Sequence, residues 1–346
     1  MVKKLWNGQS TPTIGLAPMD GVTDAACRFI VDRYGKPDVI FTEFTSVEGI
    51  ERGIPALLQA FIHHKTDTST IGQIFGYTPQ AFYKAAFVIC EMGFDGVDIN
   101  MGCPDRAVAR KGGGAALILR PKLAQEIIGA VKQAVKDWSE GKKLEDSELH
   151  NEIITYVRTF QEKMDIHPVR YLIPVSVKTR IGYDRITTEE WIQYLLEAEP
   201  FAISLHGRTL KQMYRGKANW EEIGKAAALA EKSKTSLLGN GDIHTYNDAL
   251  DKIKIYKLNG VLIGRASFGN PWIFQNKTAP LEKRLATALE HCHVFMNLTP
   301  DSHFLSLRKH LAWYCKGFDH AAHIRDQLMK VNTIEDVEEI LSTIPS

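Results

Sequence analysis

The chain has 346 residues, enough for a domain of about 250 residues with a smaller addition. Apolar residues make up 44% and charged residues 24%, a mixture that excludes collagen-like, low-complexity and wholly disordered proteins. The 42 Lys and Arg residues are balanced by 41 Asp and Glu residues. A nucleic-acid partner would therefore have to meet a local basic surface.

Apolar runs and cysteines indicate the compartment. No run approaches the ~18 apolar residues that a membrane-spanning helix needs. Five cysteines without a Cys-x-x-Cys pair argue against disulfides and a cysteine-rich zinc site. We expect a cytoplasmic protein with free thiols, no membrane contact and no bound metal. The triplet His291-Cys292-His293 does not suggest a metal site, because consecutive helical residues point about 100° apart.

Short apolar runs recur along the chain, and each is followed by a turn and a helix-like stretch. The eight runs are 14–17, 38–41, 70–74, 96–99, 175–177, 201–205, 236–238 and 260–263. Alternating strands and helices predict an α/β protein with a parallel sheet. Eight units are what a closed (β/α)8 TIM barrel needs, and a doubly wound open sheet is the alternative.

Two segments depart from this alternation. Residues 137–172 add a charged stretch, which we interpret as a solvated linker, and an amphipathic helix that contains Ile153 and Phe160. We interpret this segment as an insertion packed on the outside of the barrel, with a lid or substrate contact as the alternative. From residue 280 the apolar spacing is helical. The sequence thus predicts a barrel domain over 1–279 and a small all-helical C-terminal domain over 280–346.

Polar side chains cluster at the ends of the predicted strands. In a barrel, the loops that follow the strands meet at one face and form the active site. The residues at these places are Pro18-Met19-Asp20, Glu43, Gln73, Asn100 with Cys103, Lys178 with Arg180, His206 with Arg208, Asn240-Gly241-Asp242 and Gly264-Arg265. The convergence of amide, thiol, amine and imidazole groups predicts an enzyme.

The last two of these loops have the composition of a phosphate site. Small residues in 239–242 and 264–266 let backbone N–H groups approach a ligand, and Arg265 stands beside them. In barrels, phosphate is usually bound after strands seven and eight. The run Gly112-Gly113-Gly114 lacks the spacing of a dinucleotide fingerprint, so no Rossmann unit is expected.

Three residues suggest the chemistry. Lys178 is a compact cation that can offset negative charge on an electron-rich ring, and Gln73 can supply an amide to such a ring. Cys103 follows a strand and has no histidine next to it in sequence. An isolated thiol has a pKa near ~8.5, so this cysteine is suited to donate a proton rather than to act as a nucleophile.

Two of the loops are basic, and so is part of the tail. Residues 103–122 contain five cations against one acid, and residues 206–217 contain four cations and no acid. Further cations occur at Arg308, Lys309, Lys316, Arg325 and Lys330. Like charges around one mouth favour a polyanionic substrate, with ordinary solvated loops as the alternative. The tail could form a second phosphate-contacting surface.

Six ordered motifs carry a family resemblance. They are Ala17-Pro18-Met19-Asp20-Gly21-Val22-Thr23-Asp24, Asn100-Met101-Gly102-Cys103-Pro104 running on to Gly112-Gly113-Gly114-Ala115-Ala116-Leu117, Val177-Lys178-Thr179-Arg180, His206-Gly207-Arg208-Thr209, Asn240-Gly241-Asp242 and Gly264-Arg265-Ala266. Together they resemble the FMN-dependent tRNA-dihydrouridine synthases over about residues 12–275. Residues 308–317 resemble part of the helical tail of that family.

The resemblance implies reduction of the C5=C6 bond of a uridine in tRNA, with FMN as cofactor and NADPH as electron source. It implies that Cys103 is the general acid and that Asn100, Arg180 and Arg208 bind the substrate. The residues that would hold FMN are Pro18, Met19, Asp20, Gln73, Lys178, His206, Asn240, Gly241, Asp242, Gly264 and Arg265. The partners expected are tRNA and NADPH, and the chain is expected to be a monomer.

Two features depart from the family pattern, and two other functions stay open. Asn219 stands where the family usually has an acid, and the 137–172 insertion is unusual. The first alternative is an FMN-dependent reductase of free pyrimidines, similar to the dihydroorotate dehydrogenases. The second is a tRNA-binding module without catalysis.

Overall fold

The computed structural model describes residues 12–103, 106–213, 215–300 and 302–344, with the backbone alone of 106 and 107. Eight parallel strands form one closed barrel in sequence order. They are Thr13–Leu16 (β1), Val39–Ser46 (β2), Ser69–Phe75 (β3), Gly96–Met101 (β4), Val175–Arg180 (β5), Ala202–His206 (β6), Ser236–Asn240 (β7) and Gly260–Ile263 (β8). The predicted TIM barrel is confirmed, and the open sheet is excluded because β1 pairs with β8.

Helices surround the barrel and follow it. They are Ala25–Gly35 (α1), Val47–Glu51 (α2), Pro79–Glu91 (α3), Arg106–Arg110 (α4), Pro121–Ser139 (α5), Asn151–Met164 (α6), Thr188–Glu197 (α7), Trp220–Ala230 (α8), Tyr246–Tyr256 (α9), Leu281–Leu298 (α10), Arg308–Tyr314 (α11), Ala321–Leu328 (α12) and Ile334–Ser342 (α13). Short 3₁₀ helices occupy Pro55–Phe61, Gly114–Leu119, Leu144–Ser147, Arg265–Ser267, Pro271–Gln275 and Phe304–Ser306. No helix in these described ranges is both long and apolar enough to cross a membrane.

The barrel interior changes character along its axis. A compact apolar cluster that includes Val39, Phe41 and Leu238 fills its amino-terminal part. Side chains alternate along a strand, so polar residues further along the same strands face inward above this plug. The apolar plug keeps water out below, and the polar layer opens toward the carboxyl-terminal mouth.

The predicted insertion contains a helix that packs on the outside of the barrel. Helix α6 lies against α3 and buries Ile153 and Phe160. Glu91, at the end of α3 that leads into β4, accepts hydrogen bonds from Trp138 Nε1 (2.8 Å) and Arg158 Nη1 (2.6 Å). This end of α3 lies at the face opposite the mouth, so the contacts favour outside packing over a lid.

The charged stretch at the start of the insertion is less solvated than expected. Leu144 is fully buried, and the Lys142 ammonium lies 5.3 Å from the centroid of the Tyr83 ring and donates to the Tyr83 hydroxyl (3.0 Å). Lys142 and Leu144 therefore hold the segment against the fold, while the other charges of the stretch are exposed. Sequence composition did not reveal this, because the contacting residues are about 60 positions away.

Helices α10 to α13 bury their own apolar cluster, and this cluster includes Ala26 of α1. Leu307, Leu311 and Tyr314 are buried there. Helix α1 also joins the two parts by polar contacts, since Arg33 pairs with Glu290 at 3.1 Å. A division into domains at residue 279 stays a prediction.

Two buried histidines lie at this junction. The rings of His291 and His310 are 4.9 Å apart, and His291 Nδ1 lies 3.2 Å from the Tyr314 hydroxyl. Burial lowers the pKa of each histidine to about 3. His310 Nε2 lies 3.8 Å from Asp24 Oδ2, outside hydrogen-bond range. The junction is thus built for neutral imidazoles.

We expect the folded state to lose stability as the pH falls below about 6.5. The unfolded histidines bind protons there while the buried ones do not, so at pH 5 each contributes a loss of about 2 kcal/mol. Chemical denaturation of the wild type at pH 7.5 and pH 5 measures this loss. His310→Gln should reduce the difference, whereas the exposed control His244→Gln should leave it unchanged. Equal acid sensitivity of all three proteins would contradict the assignment.

Candidate active site

The predicted site residues meet at one face of the barrel. Gln73, Asn100, Lys178, Arg180, His206 and Asn240 lie in strands, and the others lie in the loops that follow. Strand register links the strand residues around the ring, because Asn100 pairs with Lys178 and Arg180 pairs with His206. His206 pairs in turn with Asn240. Barrel closure thus brings together residues that are far apart along the chain, such as Gln73 and Asn240.

A buried chain of hydrogen bonds runs through β3 and β4. Gln73 Nε2 donates to Asp98 Oδ2 (2.7 Å), and Asn100 Nδ2 donates to Gln73 Oε1 (3.1 Å). Asn100 Oδ1 then accepts from the backbone N–H of Gly102 (2.9 Å) and of Cys103 (2.8 Å). The two amides are therefore held in fixed orientations next to the loop that carries Cys103.

Lys178 places a cation inside the barrel. Its ammonium has no hydrogen bond or ion pair with the side chains that the structure describes. Burial, together with the Arg180 guanidinium, lowers the pKa of Lys178 to about 8, while the Asp98 carboxylate acts in the opposite direction. The ammonium is mostly charged at neutral pH and is available to a ligand in the mouth.

His206 is held neutral beside this cation. Burial, then the charges of Lys178 and Arg180, keep the pKa of His206 well below its usual range. Arg208 Nη1 lies 3.3 Å from His206 Nε2. Because a guanidinium donates and cannot accept, Nε2 is the acceptor and Nδ1 carries the proton.

Asp242 connects the two loops with the composition of a phosphate site. Its carboxylate accepts from Arg208 Nη2 (2.6 Å), Arg265 Nη2 (2.8 Å) and the Ala218 backbone N–H (2.8 Å). Burial opposes ionisation, but the Ala218 hydrogen bond and the Arg208 charge keep the pKa of Asp242 below its usual range. Arg208 is buried, whereas the Arg265 side chain is 56% exposed. Asp242 therefore clamps one internal and one ligand-accessible cation.

Two glycines keep the backbone open at this end of the mouth. Gly241 has φ 123°, a region that side chains rarely occupy. A β-carbon there would lie 2.8 Å from Ala218 Cβ and 3.0 Å from His206 Cδ2. A β-carbon on Gly264 would approach Met19 Sδ at 3.4 Å. Gly241 is therefore required by its backbone conformation and its close neighbours, whereas the Gly264 contact is an ordinary one. Close approach of a ligand to these loops stays a prediction.

The Cys103 loop is tied to β5 and β6. Arg180 is buried, and its Nε donates to the Gly102 carbonyl (2.7 Å) while Nη1 donates to the Thr209 carbonyl (3.3 Å). The Cys103 thiol is buried and is not in a disulfide. Pro104, Asp105 and the side chain of Arg106 lie outside the described residues.

The β1–α1 loop forms the other wall of the mouth. Met19 N–H donates to Thr23 Oγ1 (3.0 Å), which holds the turn, and Asp20 is exposed. Glu43 of β2 faces this loop. Burial, then the charge of Asp24, raise the pKa of Glu43 to about 7, although Arg28 acts in the opposite direction. The sequence placed Glu43 at the mouth without a role.

The basic residues are divided between the rim and the interior of the fold. Seven cations of the two basic loops are exposed: Arg110, Lys111, Arg120, Lys122, Lys211, Arg215 and Lys217. In the tail, Arg308 donates to the Val331 carbonyl (2.7 Å) and to Asn332 Oδ1 (2.8 Å). Its guanidinium is used for packing. Lys309 instead extends toward the mouth, since its ammonium lies 3.2 Å from where a Gly21 β-carbon would be.

Asn219, which departs from the family pattern, keeps a capping role. It is the N-cap of α8, and its Oδ1 accepts from the Glu222 N–H (3.2 Å). An acid at this position could accept the same bond. Tyr214, in the same loop, lies outside the described residues.

Sequence reasoning missed Asp98 and Ser176. Ser176 Oγ donates to Asp98 Oδ1 (2.5 Å), so both belong to the polar layer below the mouth. Alternation offered a signal: Asp98 precedes Asn100, and Ser176 precedes Lys178, by two residues each. Residues two apart on a strand share a face.

Comparison with known proteins agrees with the motifs. The family model of the dihydrouridine synthases matches residues 15–163 and 144–345. The chain belongs to the dihydrouridine synthase family. It is 32% identical to a probable tRNA-dihydrouridine synthase of Staphylococcus epidermidis, over 99% of this chain and 97% of the relative. A probable tRNA-dihydrouridine synthase 1 of Synechocystis sp. is 29% identical over 94% of this chain and 84% of the relative.

Solved structures give a weaker likeness. The chain is similar to DHODH in complex with ferulenol from Eimeria tenella, with a TM-score of 0.49 and 11% identity over 82% of each chain. It is also similar to histamine dehydrogenase from Rhizobium sp. 4-9, with a TM-score of 0.47 and 13% identity over 82% of this chain and 49% of that one.

We expect Asp242→Asn to destabilise the protein. It removes the negative charge that faces the buried Arg208. Removing one partner of a fully buried ion pair costs about 3–5 kcal/mol, and the loss should be smaller here because the Asp242 side chain is 20% exposed. The measurement is the free energy of unfolding at pH 7.5. The matched control is Asp326→Asn, whose carboxylate pairs with Lys330 on an exposed helix face (2.7 Å), and this variant should unfold like the wild type. Similar losses in both variants would contradict the clamp.

Proposed function

We propose that the protein reduces the C5=C6 bond of a specific uridine in tRNA, with FMN as cofactor and NADPH as electron source. The observation that carries this proposal is the position of the Lys178 ammonium. It lies among the hydrogen-bonding groups at the barrel mouth and forms no hydrogen bond or ion pair with the side chains that the structure describes. Membership of the dihydrouridine synthase family supports the same reaction.

The mouth fits a phosphorylated flavin. Ser204 Oγ and Arg208 Nε are buried and have no hydrogen-bond partner among the described residues. Gly241 and Gly264 lie in the two loops with the composition of a phosphate site, and the exposed Arg265 side chain is next to them in the same structure. We assign the cofactor to Pro18, Met19, Asp20, Gln73, Lys178, His206, Asn240, Gly241, Asp242, Gly264 and Arg265.

When bound, reduced FMN supplies a hydride to carbon C6 of the uracil ring. The residues of this chain then have three tasks. Lys178 would stabilise negative charge on the bound ring. Asn100 and Arg180 orient the uracil base. The Cys103 thiol gives its proton to C5, so that one hydride and one proton saturate the double bond.

Arg208 acts through its neighbours in this scheme. Its donors are directed to Asp242, to His206 and to the Gly216 carbonyl (2.7 Å). It therefore keeps the phosphate loop and the neutral tautomer of His206 in place. The direct contact of Arg208 with the uridine, which the resemblance implies, stays a prediction.

The substrate is a structured RNA, so its target base has to leave the stack to reach a recessed site. Exposed cations on the loops after β4 and β6 surround the mouth and can hold the phosphate backbone. Lys309 continues this surface onto α11. We assign residues 280–346 as the tRNA-binding domain. The cytoplasmic location and the monomeric state stay predictions from the sequence.

Anaerobic half-reactions test the proposal. The purified protein is reduced with NADPH, and flavin absorbance is followed after addition of unmodified tRNA, uracil or orotate. Rapid reoxidation by tRNA alone is expected, because the rim recognises a polyanion. Reoxidation by a free base would instead support a pyrimidine reductase. tRNA binding without a flavin signal would support a binding module.

We expect Cys103→Ala to keep flavin and its reduction by NADPH but to slow reoxidation by tRNA. Loss of a positioned general acid typically costs 10²- to 10⁴-fold. Stopped-flow absorbance measures both steps, and mass spectrometry of the tRNA measures dihydrouridine. Cys90→Ala, at a buried cysteine in α3, is the matched control and should react normally. Unchanged dihydrouridine formation by Cys103→Ala would exclude the thiol as the acid.

A further inference from the structure

The buried carboxylate of Asp98 lies one hydrogen bond below the proposed cofactor site. It is fully buried in β4 and accepts from Gln73 Nε2 on one oxygen and from Ser176 Oγ on the other. Asp98 is neither the proposed general acid nor one of the residues that orient the base. A buried charge of this kind is costly unless it is hydrogen-bonded, and here Gln73 and Ser176 supply the hydrogen bonds.

An ionised carboxylate only accepts hydrogen bonds. Gln73 must therefore turn its NH2 group toward Asp98 and its carbonyl oxygen toward Asn100. Asn100 must then donate from its own NH2 group, which leaves its Oδ1 to accept from the N–H groups of Gly102 and Cys103. The charge at one end of the chain thus determines the orientation of both amides and supports the backbone turn at the other end.

We propose that Asp98 is a positioning residue for the reduction, because its ionised carboxylate fixes the orientation of the Gln73 amide, which belongs to the proposed cofactor site, and, through Asn100, holds the loop that carries Cys103. The inference rests on the proposed function. It adds a residue that touches neither cofactor nor substrate and links the two sides of the reaction.

The Asp98→Asn substitution removes the negative charge and keeps the size and shape of the side chain. An amide can offer its oxygen or its NH2 group to Gln73, and Ser176 can donate or accept accordingly. The chain then has two possible directions. In the reversed one, Asn100 directs its NH2 group at the N–H groups of Gly102 and Cys103, which releases the loop. Charge-assisted hydrogen bonds are also about twice as strong as neutral ones.

Protonation of Asp98 provides a second way to weaken the chain. Burial raises the pKa of Asp98 to about 6, against the hydrogen bonds from Ser176 and Gln73. The charged group that acts on it from the packed strands is Lys178 of β5, whose ammonium lowers the pKa. Removing the Ser176 hydroxyl takes away a bond to the ionised form, so the pKa should rise further.

The first measurement is hydrogen exchange of the flavin-loaded protein at one pH, followed in a peptide that ends at Cys103. In Asp98→Asn the amides of Gly102 and Cys103 should exchange at least tenfold faster than in the wild type. The matched control is Glu91→Gln, which alters a buried carboxylate at the opposite face and should not affect this peptide. Unchanged exchange in Asp98→Asn would overturn the inference, whatever the substrate is.

The second measurement is the rate of flavin reoxidation by tRNA between pH 5 and pH 8.5. Asp98→Asn should be about tenfold slower at pH 7.5, as is typical when a supporting hydrogen bond is lost. The wild-type rate should fall below about pH 6, and Ser176→Ala should shift this fall to higher pH. The pH profile of Asp98→Asn should lack this fall in rate. If Asp98 had only a structural role, the variant would keep the pH profile of the wild type.

The outcomes separate the two claims. A wild-type protein that tRNA does not reoxidise contradicts the proposed function, while the exchange experiment still decides the role of Asp98. Two results with an active wild type would contradict the inference alone. One is an Asp98→Asn reoxidation rate within twofold of the wild-type rate. The other is a fall in rate at low pH that Ser176→Ala shows at the same pH as the wild type. If Asp98→Asn does not fold, the shift in Ser176→Ala decides.

Discussion

The hydrogen bonds between β1 and β8 close the sheet, and the arrangement of the site depends on this closure. The ladder runs from the pair Thr13 and Gly260 to the pair Leu16 and Ile263. With the sheet closed, the carboxyl ends of eight strands form one ring, and the inward positions of each strand are buried from all sides. Inside the closed barrel, an apolar cluster fills the part near the amino ends of the strands. Polar side chains occupy the part near the carboxyl ends.

That upper layer balances charges that would be unfavourable one at a time. Lys178 and Arg180 bring positive charge into a confined space, and burial together with these charges keeps the pKa of His206 well below its usual range. Asp98 lies below them and Asp242 beside them, each saturated with donors. Asp98, Arg180 and Asp242 are each held by fixed donors or acceptors, whereas the Lys178 ammonium is left for a ligand. The polar groups around that ammonium are therefore preorganised before a ligand arrives.

The attachment of the helical tail follows a different rule. Apolar packing of α10 on α1 joins the tail to the barrel, and the junction buries His291 and His310 as neutral rings. Helix α1 begins directly after the β1–α1 loop, so the tail lies against an element of the mouth. Lys309 extends from the tail to that loop, and a ligand of the mouth can therefore contact both parts.

The sequence by itself determined the barrel and most of the mouth. Short apolar runs and the turns that follow them are local signals, and in a parallel barrel the residues after each run have to meet. The residues of the six ordered motifs also indicated the dihydrouridine synthase family. The position of the insertion, the packing role of Arg308 and the roles of Asp98 and Ser176 needed the tertiary structure. Each depends on partners more than 20 positions away along the chain, and a side chain's preference for solvent, packing or a hydrogen bond is decided by the neighbours that folding brings to it.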